Sequence, residues 1–457
     1  MILAVDPVPW ARAQMAFTLG VHIILVPLGV AWAFMILVAE YKANKHGDED
    51  ARLLARRWSK VLAVTFAVGA VTGTVLTFEF GLLWPRFMGR FGDAFGIPFA
   101  IEGLFFFLEA IFLAIYIYGW DRLSPRTHFW SGIPIVLSGI GGTAAVIAAN
   151  AWMNQPAGFK LNAAGKVVDV SPMKVIFNRA FPYETAHMLI AAYLVGGFLI
   201  ASVYAVAMLR GRRDRYHRLG FLIAFTIAAV SAPLQMVVGD LVARAVYHDD
   251  PVKFAAIELV DKTGKNVPET LGGYLDSKGK LHAGIKIPGA ASLLSGYSTN
   301  TKIKGLTSVP ARDRPTYAQA STVHLAWDVM IGLGSALAAL SVWFGFVWWR
   351  KRDLPKTPWF LRAAAVAGVA SVVAMEAGWV VTEVGRQPWI VHGVMRVTDG
   401  ATTDGGVWVT FLVIVAVYAA VATATVLVLR SMARRWRDGE DPAVPYAPDQ
   451  LSPGATP

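Results

Sequence analysis

Nine separate stretches of this chain are apolar over enough residues to cross a lipid bilayer, and this recurrence restricts the fold more than any other feature. A span takes roughly 20 predominantly apolar residues, because each helical residue rises about 1.5 Å through a hydrocarbon layer about 30 Å thick. Such windows run over residues 14–38, 58–82, 97–118, 130–150, 184–208, 219–240, 324–348, 361–383 and 406–430. Lipid offers the backbone no hydrogen-bonding partner, so each window has to satisfy its own amides as a helix. The expected fold class is all-α, a polytopic membrane helix bundle of about nine transmembrane helices. Composition agrees: 55% of the 457 residues are hydrophobic and only 16% charged, too little polar surface to coat a soluble globule. Sixteen Trp, 13 Tyr and 25 Phe, many where apolar runs meet polar loops, would form the interfacial belts.

The basic residues report topology rather than nucleic-acid binding. Net charge is +11, and the cations gather in short loops between apolar runs. Lys42 to Arg57 follow the first window, Arg122 and Arg126 the third, Arg210 to Arg218 the fifth, Arg350 to Lys356 the seventh and Arg430 to Arg437 the ninth. The alternation predicts an N-terminus outside and a C-terminus inside, although Lys160, Lys166, Lys174 and Arg179 place some charge on the outer side. "MILAVDPVPWARAQ" has no basic start and no small-residue cleavage site, so the first span reads as retained rather than as a signal peptide. No cysteine is present, which excludes disulfides, thiolate metal sites and iron–sulfur clusters. The organisation expected is six helices over 1–240, an extracytoplasmic loop over 241–323, three helices over 324–430 and a disordered cytoplasmic tail over 431–457. That loop is far longer than a usual connection, and its "VDKTGKNVPET" and "YLDSKGKLHAGIKIP" read as short hairpin-like or mobile pieces.

Ionisable residues inside spans are costly, about 2.5–3.5 kcal/mol each on insertion scales, so each requires a partner, a cavity or a cofactor. His22, Glu79, Glu102, Glu109, His187, Asp240, Asp328, Glu376 and Glu383 fall within or at the ends of the windows. On the predicted topology most of them lie in the outer half, with Glu109 deeper than Glu102. Imidazole and thioether are both axial haem ligands, and His187 and Met330 sit at similar depth on different helices. The plainer alternatives are an interhelical hydrogen bond for the histidine and packing for the methionine. Glu102 and Glu109 are two turns apart and share a face, as do Glu376, Trp379 and Glu383. Such carboxylates could deliver protons to a redox cofactor, or Glu383 could be a structural carboxylate paired with Arg386. Lys253 and Glu258, five apart in the loop, could donate to and accept from a hydroxyquinone head group, or form a solvated helix face.

Taken together, "QMAFTLGVHIILVPLGV", "FEFGLLWPRFMGRFGDAFGIPFAIEGLFFFLEAIF", "GWDRLSP", "ANAWMNQPAGF", "AAIE", "MIGLG" and "EAGWVVTEVGRQPW" occur in the order seen in subunit I of cytochrome bd type quinol oxidases, which the whole chain resembles. The resemblance implies that His187 and Met330 are the axial ligands of a low-spin haem b. It implies that His22 is an axial ligand in a two-haem site holding a high-spin haem b and a haem d, or a further haem b. Glu102 and Glu383 would be iron ligands or close ligand partners there, Glu109 would carry protons towards it, and Trp379 would assist electron transfer. Lys253 and Glu258 match the quinol-binding loop residues; Arg386 and Gln387 would balance haem propionates and Glu383. The implied function is oxidation of quinol at the outer face and reduction of oxygen to water with cytoplasmic protons, generating proton-motive force without pumping. The implied setting is the bacterial cytoplasmic membrane, with a second membrane subunit and in some cases small single-helix subunits. Asp328 departs from the family pattern where many members carry arginine, as do "LLW" after "FEFG" and Asp250 before Pro251. Competing readings are a b-haem-only oxidase of the same family, a non-catalytic b-type electron carrier and a proton-coupled transporter.

Overall fold

The computed structural model describes residues 6–355 and 357–440. Its helices, in chain order, are α1 (Pro7–His46), α2 (Glu49–Leu83), α3 (Pro85–Gly119), α4 (Pro125–Asn154), α5 (Pro172–Ile176), α6 (Phe181–Leu209), α7 (Arg215–Asp249), α8 (Pro251–Ile257), α9 (Ala290–Gly296), α10 (Tyr317–Lys351), α11 (Pro358–Gly385), α12 (Val397–Gly400) and α13 (Val407–Arg437). Among the described residues, nine of them are long and apolar enough to cross a membrane: α1 to α4, α6, α7, α10, α11 and α13. They coincide with the nine apolar windows but overrun them, because a helix stops at a cap and not where apolarity ends. The side chains of Asp6, Asp214, Thr316 and Thr357 accept amides at the starts of α1, α7, α10 and α11, and Thr316 and Gln319 complete a reciprocal capping box. At the end of α1, Gly47 takes a left-handed conformation (φ 62°) that a side chain would resist.

The overrun alters two expected boundaries. The long connection after α7 shrinks to residues 250–316, since α7 continues to Asp249 and α10 begins at Tyr317. Of the tail expected over 431–457, residues up to Arg437 extend α13 as helix, and 441–457 lie outside the described residues.

The chain divides into two compact units. Of the described residues, the first contains 6–83, 103–142 and 403–440; within it α1 packs along α2, and α13 along both. Two buried carboxylates are satisfied there by neighbouring helices, which offsets the cost of removing them from water. Glu79 accepts from Gln14 Nε2 (2.8 Å) and Thr18 Oγ1 (2.5 Å). Glu40 accepts from Tyr116 Oη (2.5 Å) and faces His128 Nδ1 (2.8 Å), whose Nε2 faces the Tyr116 carbonyl at 2.9 Å.

The second unit contains residues 84–102 and 143–402. In it α6 lies along α7 and α11, and α10 along α11 and α7. Over one end of these helices the 250–316 connection folds into a packed layer. Buried Phe254, Ile257, Leu259, Val267, Leu275 and Leu306 form its apolar core together with Val323 of α10. Antiparallel pairs Glu269–Leu271 with Ile285–Ile287 and Tyr274–Leu275 with Leu281–His282 build a nested hairpin where "YLDSKGKLHAGIKIP" reads as short hairpin-like or mobile pieces.

Candidate functional site

The C-terminal ends of α4 and α11, the N-terminal end of α6 and the short helix α8 meet in one buried polar layer of the second unit. Asn154 is its hub. Its Oδ1 accepts from Lys253 Nζ (3.1 Å) and Arg386 Nη1 (3.4 Å), while its Nδ2 donates to Glu184 Oε1 (2.9 Å) and Asn150 Oδ1 (3.2 Å). Asn150 Nδ2 in turn donates to Glu383 Oε1 at 2.6 Å, and Arg386 Nη2 donates to Glu383 Oε2. Glu383 therefore does pair with Arg386, as the structural alternative anticipates, within a larger network that also holds Lys253.

Lys253 and Arg386 are almost fully buried, 6% and 4% exposed, which rules out a solvated helix face for the lysine. Burial holds the Lys253 ammonium below its ordinary pKa, and nearby Asp250 opposes the shift. Arg386 Nε is buried without a hydrogen-bond partner. Both cations open onto a recess of about 310 Å³ that also presents Asp250, Gln387, Trp389 and His392. That volume falls at the lower end of small-molecule sites.

Glu258 is not in this recess. At the other end of α8 it is buried against Glu269, with Asp328 close by, and its pKa is raised well above the carboxylate range by burial first and by Glu269 second. Glu269 is raised too, chiefly by burial. Two carboxyls buried against one another favour the protonated form, since neither burial nor a like charge tolerates both ionised. Asp328 does not stand free: its Oδ2 accepts from Gly272 N at 2.5 Å and lies 3.4 Å from His324 Nε2. The Asp328 carboxylate, a departure from the family pattern, is thus tied to the loop layer.

His187 on α6 meets Gln235 of α7, whose Nε2 is 3.2 and 3.1 Å from the two ring nitrogens. A donor equidistant from both cannot lie along the lone pair of either, and Gln235 Oε1 is itself buried and unpartnered. A glycine also faces each of three candidate ligands. A Cβ at Gly239 would come 3.7 Å from His187 Cε1, one at Gly378 3.0 Å from Met330 Sδ, and in the first unit one at Gly73 3.0 Å from His22 Cε1. His22 Nδ1 pairs with Thr72 Oγ1 at 2.9 Å, leaving Nε2 for another partner. On α3, Glu102 and Glu109 stand two turns apart, and Gly139 of α4 leaves room at Glu109, where a Cβ would lie 3.8 Å from Oε1. On α11, Glu376, Trp379 and Glu383 follow at one-turn spacing. Among the described residues no cluster of three or more His, Asp and Glu could hold a bare metal ion.

Residues 10–436 match the family model described as "Cytochrome bd terminal oxidase subunit I". The chain belongs to that family. It is 35% identical over 443 residues to the "Putative cytochrome bd menaquinol oxidase subunit I" of Bacillus subtilis (strain 168), covering 95% of this chain and 98% of the relative. It is 29% identical to the "Cytochrome bd ubiquinol oxidase subunit 1" of the same organism, covering 86% of each. In three dimensions it resembles the bd oxidase from Geobacillus thermodenitrificans, with a TM-score of 0.86, 34% identity and coverage of 95% of this chain and 100% of the other. The protein is thus a terminal oxidase subunit and a multi-pass bacterial membrane protein. Membership implies haem, and a complex with a second subunit. The residues present fit haem: imidazole and thioether groups among apolar helices, an orphaned amide oxygen beside His187, and glycines that leave room for the His22, His187 and Met330 side chains.

Sequence reasoning passed over Asn150, Asn154, Glu184, Glu269, His324 and His392. Signals were available: "ANAWMNQPAGF" has two amides four residues apart at the end of a span, and Glu184 and His324 stand at the first residues of two apolar windows.

Proposed function

We propose that this subunit oxidises quinol in the layer formed by α8 and the connection 250–316, and passes the electrons to haems where oxygen is reduced to water. The observation that carries the reading is the recess beside Lys253 and Arg386, two buried cations at the junction of helix ends and loop layer. Lys253 Nζ is suited to donate to a quinol oxygen in the recess, and Glu258, at the other end of α8 beside Glu269, would be the second quinol-binding residue of the same layer. Positive charge in alternate loops supports an N-terminus outside and a C-terminus inside, which puts this layer on the outer face of the cytoplasmic membrane. Quinol protons then leave outward.

His187 and Met330 would hold a low-spin haem b through imidazole and thioether, and His22 would help hold a second haem. Glu383 and Glu102 would serve the oxygen-reducing centre, Trp379 would aid electron transfer, and Arg386 and Gln387 would neutralise propionates. When bound, haem supplies the one-electron steps and the open iron at which oxygen reacts. Glu109, two turns from Glu102 on α3, holds protons arriving from the cytoplasmic side. Because those protons cross most of the membrane and quinol protons do not, charge separates without a pump. We propose a complement of low-spin haem b, high-spin haem b and haem d, assembled with a second membrane subunit.

The experiment is a reduced-minus-oxidised and carbon monoxide difference spectrum of the purified complex, with pyridine haemochrome analysis. A far-red band shifted by carbon monoxide supports haem d at an open iron; carbon monoxide binding with only b haem indicates the b-only form. Absence of carbon monoxide binding would leave an electron carrier instead. Glu383→Ala is expected to fold but lose oxygen reduction, and His187→Ala to lose the low-spin haem.

A further inference from the structure

We infer that His392, backed by Asp250, is the group that takes protons from quinol in the recess and passes them to solvent; this rests on the quinol reading above. Oxidation of one quinol breaks two O–H bonds and releases two protons and two electrons. The electrons pass by way of haem to oxygen, and the protons need an acceptor in the recess.

Most groups on the recess cannot take one. Arg386 remains protonated, and Lys253 Nζ donates to Asn154. Asp313, on the rim, is held by Arg396 at 2.6 Å. Asp250 Oδ1 caps α8 by accepting Lys253 N at 3.0 Å, while Oδ2 lies 3.5 Å from His392 Nδ1 and 4.0 Å from Lys253 Nζ. His392 Nδ1 is buried with no hydrogen-bond partner, yet a third of the side chain (33%) is exposed. One edge of the imidazole thus faces the recess and another reaches solvent, and it sits 6.5 Å, centroid to centroid, from Trp389 on the same wall. A neutral imidazole in this position accepts at one nitrogen and releases from the other, then repeats the cycle for the second proton. The charged groups facing it are Asp250, Lys253 and Arg386. Burial lowers its pKa, with Lys253 and Arg386 in the same sense and Asp250 in the opposite sense, so the ring is neutral and able to accept at neutral pH.

The test measures quinol-driven oxygen consumption by the complete complex against pH, with a short-chain quinol, alongside the haem spectrum as a check of folding. His392→Gln is expected to lower kcat about 100-fold with little change in KM. In the parent enzyme activity falls as pH drops through the His392 pKa. Asp250→Asn keeps the helix cap but removes the charge that raises that pKa, so the acid-side inflection is expected to move to lower pH. Lys253→Met separates the two levels of the reading, and is expected to raise KM. If His392→Gln keeps the parental kcat and inflection, or Asp250→Asn leaves the inflection in place, while Lys253→Met is impaired, the His392 assignment is overturned and the quinol site stands. If all three variants behave as the parent, the quinol site itself is wrong.

Discussion

Replacing Gly378 by alanine bears most directly on the proposed sharing of a haem by Met330 and His187. The new Cβ would lie 3.0 Å from Met330 Sδ, whereas uncharged heavy atoms rest at about 3.5–4.0 Å. The thioether must move by about 0.5 Å or more, or α11 must shift against α10. Overpacking of this kind costs about 1–3 kcal/mol. If Met330 holds haem, strain of that size would weaken its hold by a factor of roughly 5 to 150, since about 1.4 kcal/mol is tenfold. The expected outcome is partial conversion of the low-spin haem b to a high-spin form with a lowered potential, because a thioether ligand raises the potential. Absorption and electron paramagnetic resonance of the ferric complex, with a redox titration, would measure both. Met330→Leu provides the limit of complete loss. If Met330→Leu removes the low-spin signal while Gly378→Ala leaves spectrum and potential untouched, the steric argument is refuted; if Met330→Leu itself has no effect, Met330 is a packing residue.

Asn154→Leu removes the acceptor shared by two buried cations and the donor to Glu184, and is expected to destabilise the protein by about 3 kcal/mol or more, seen as a lowered midpoint of thermal unfolding. His128→Leu leaves buried Glu40 with Tyr116 as its side-chain donor and is expected to cost about 3–5 kcal/mol, measurable by the same unfolding assay. Glu258 has a raised folded-state pKa, so its contribution is complete below the ordinary glutamate value of about 4.3 and is lost as pH rises through the elevated one. Glu258→Gln should flatten this loss, followed by limited proteolysis of the 250–316 connection against pH.

The helices themselves were legible because the signal for a span is local: a run of apolar side chains long enough to cross hydrocarbon specifies helix wherever it occurs. Their ends were less so, since Glu40 to His46 of α1 and Arg244 to Asp249 of α7 are polar helix that no apolar window includes. Several candidate residues could be picked out because an ionisable group in a span is expensive, which is why His22, His187, Glu102, Glu109 and Glu383 were visible.

The sequence by itself therefore determined that the chain is a helical membrane protein of the bd oxidase family, and which side chains within its spans demand a partner. Only the tertiary structure decided what those partners are. Asn154 and Arg386 are 232 positions apart yet share a hydrogen bond, and Lys253 and Glu258, neighbours in sequence, face different polar groups. Hydropathy is a property of consecutive residues. Satisfaction of a buried charge depends on which helix ends meet, and in this chain four segments far apart in sequence converge to satisfy Glu184, Lys253, Glu383 and Arg386.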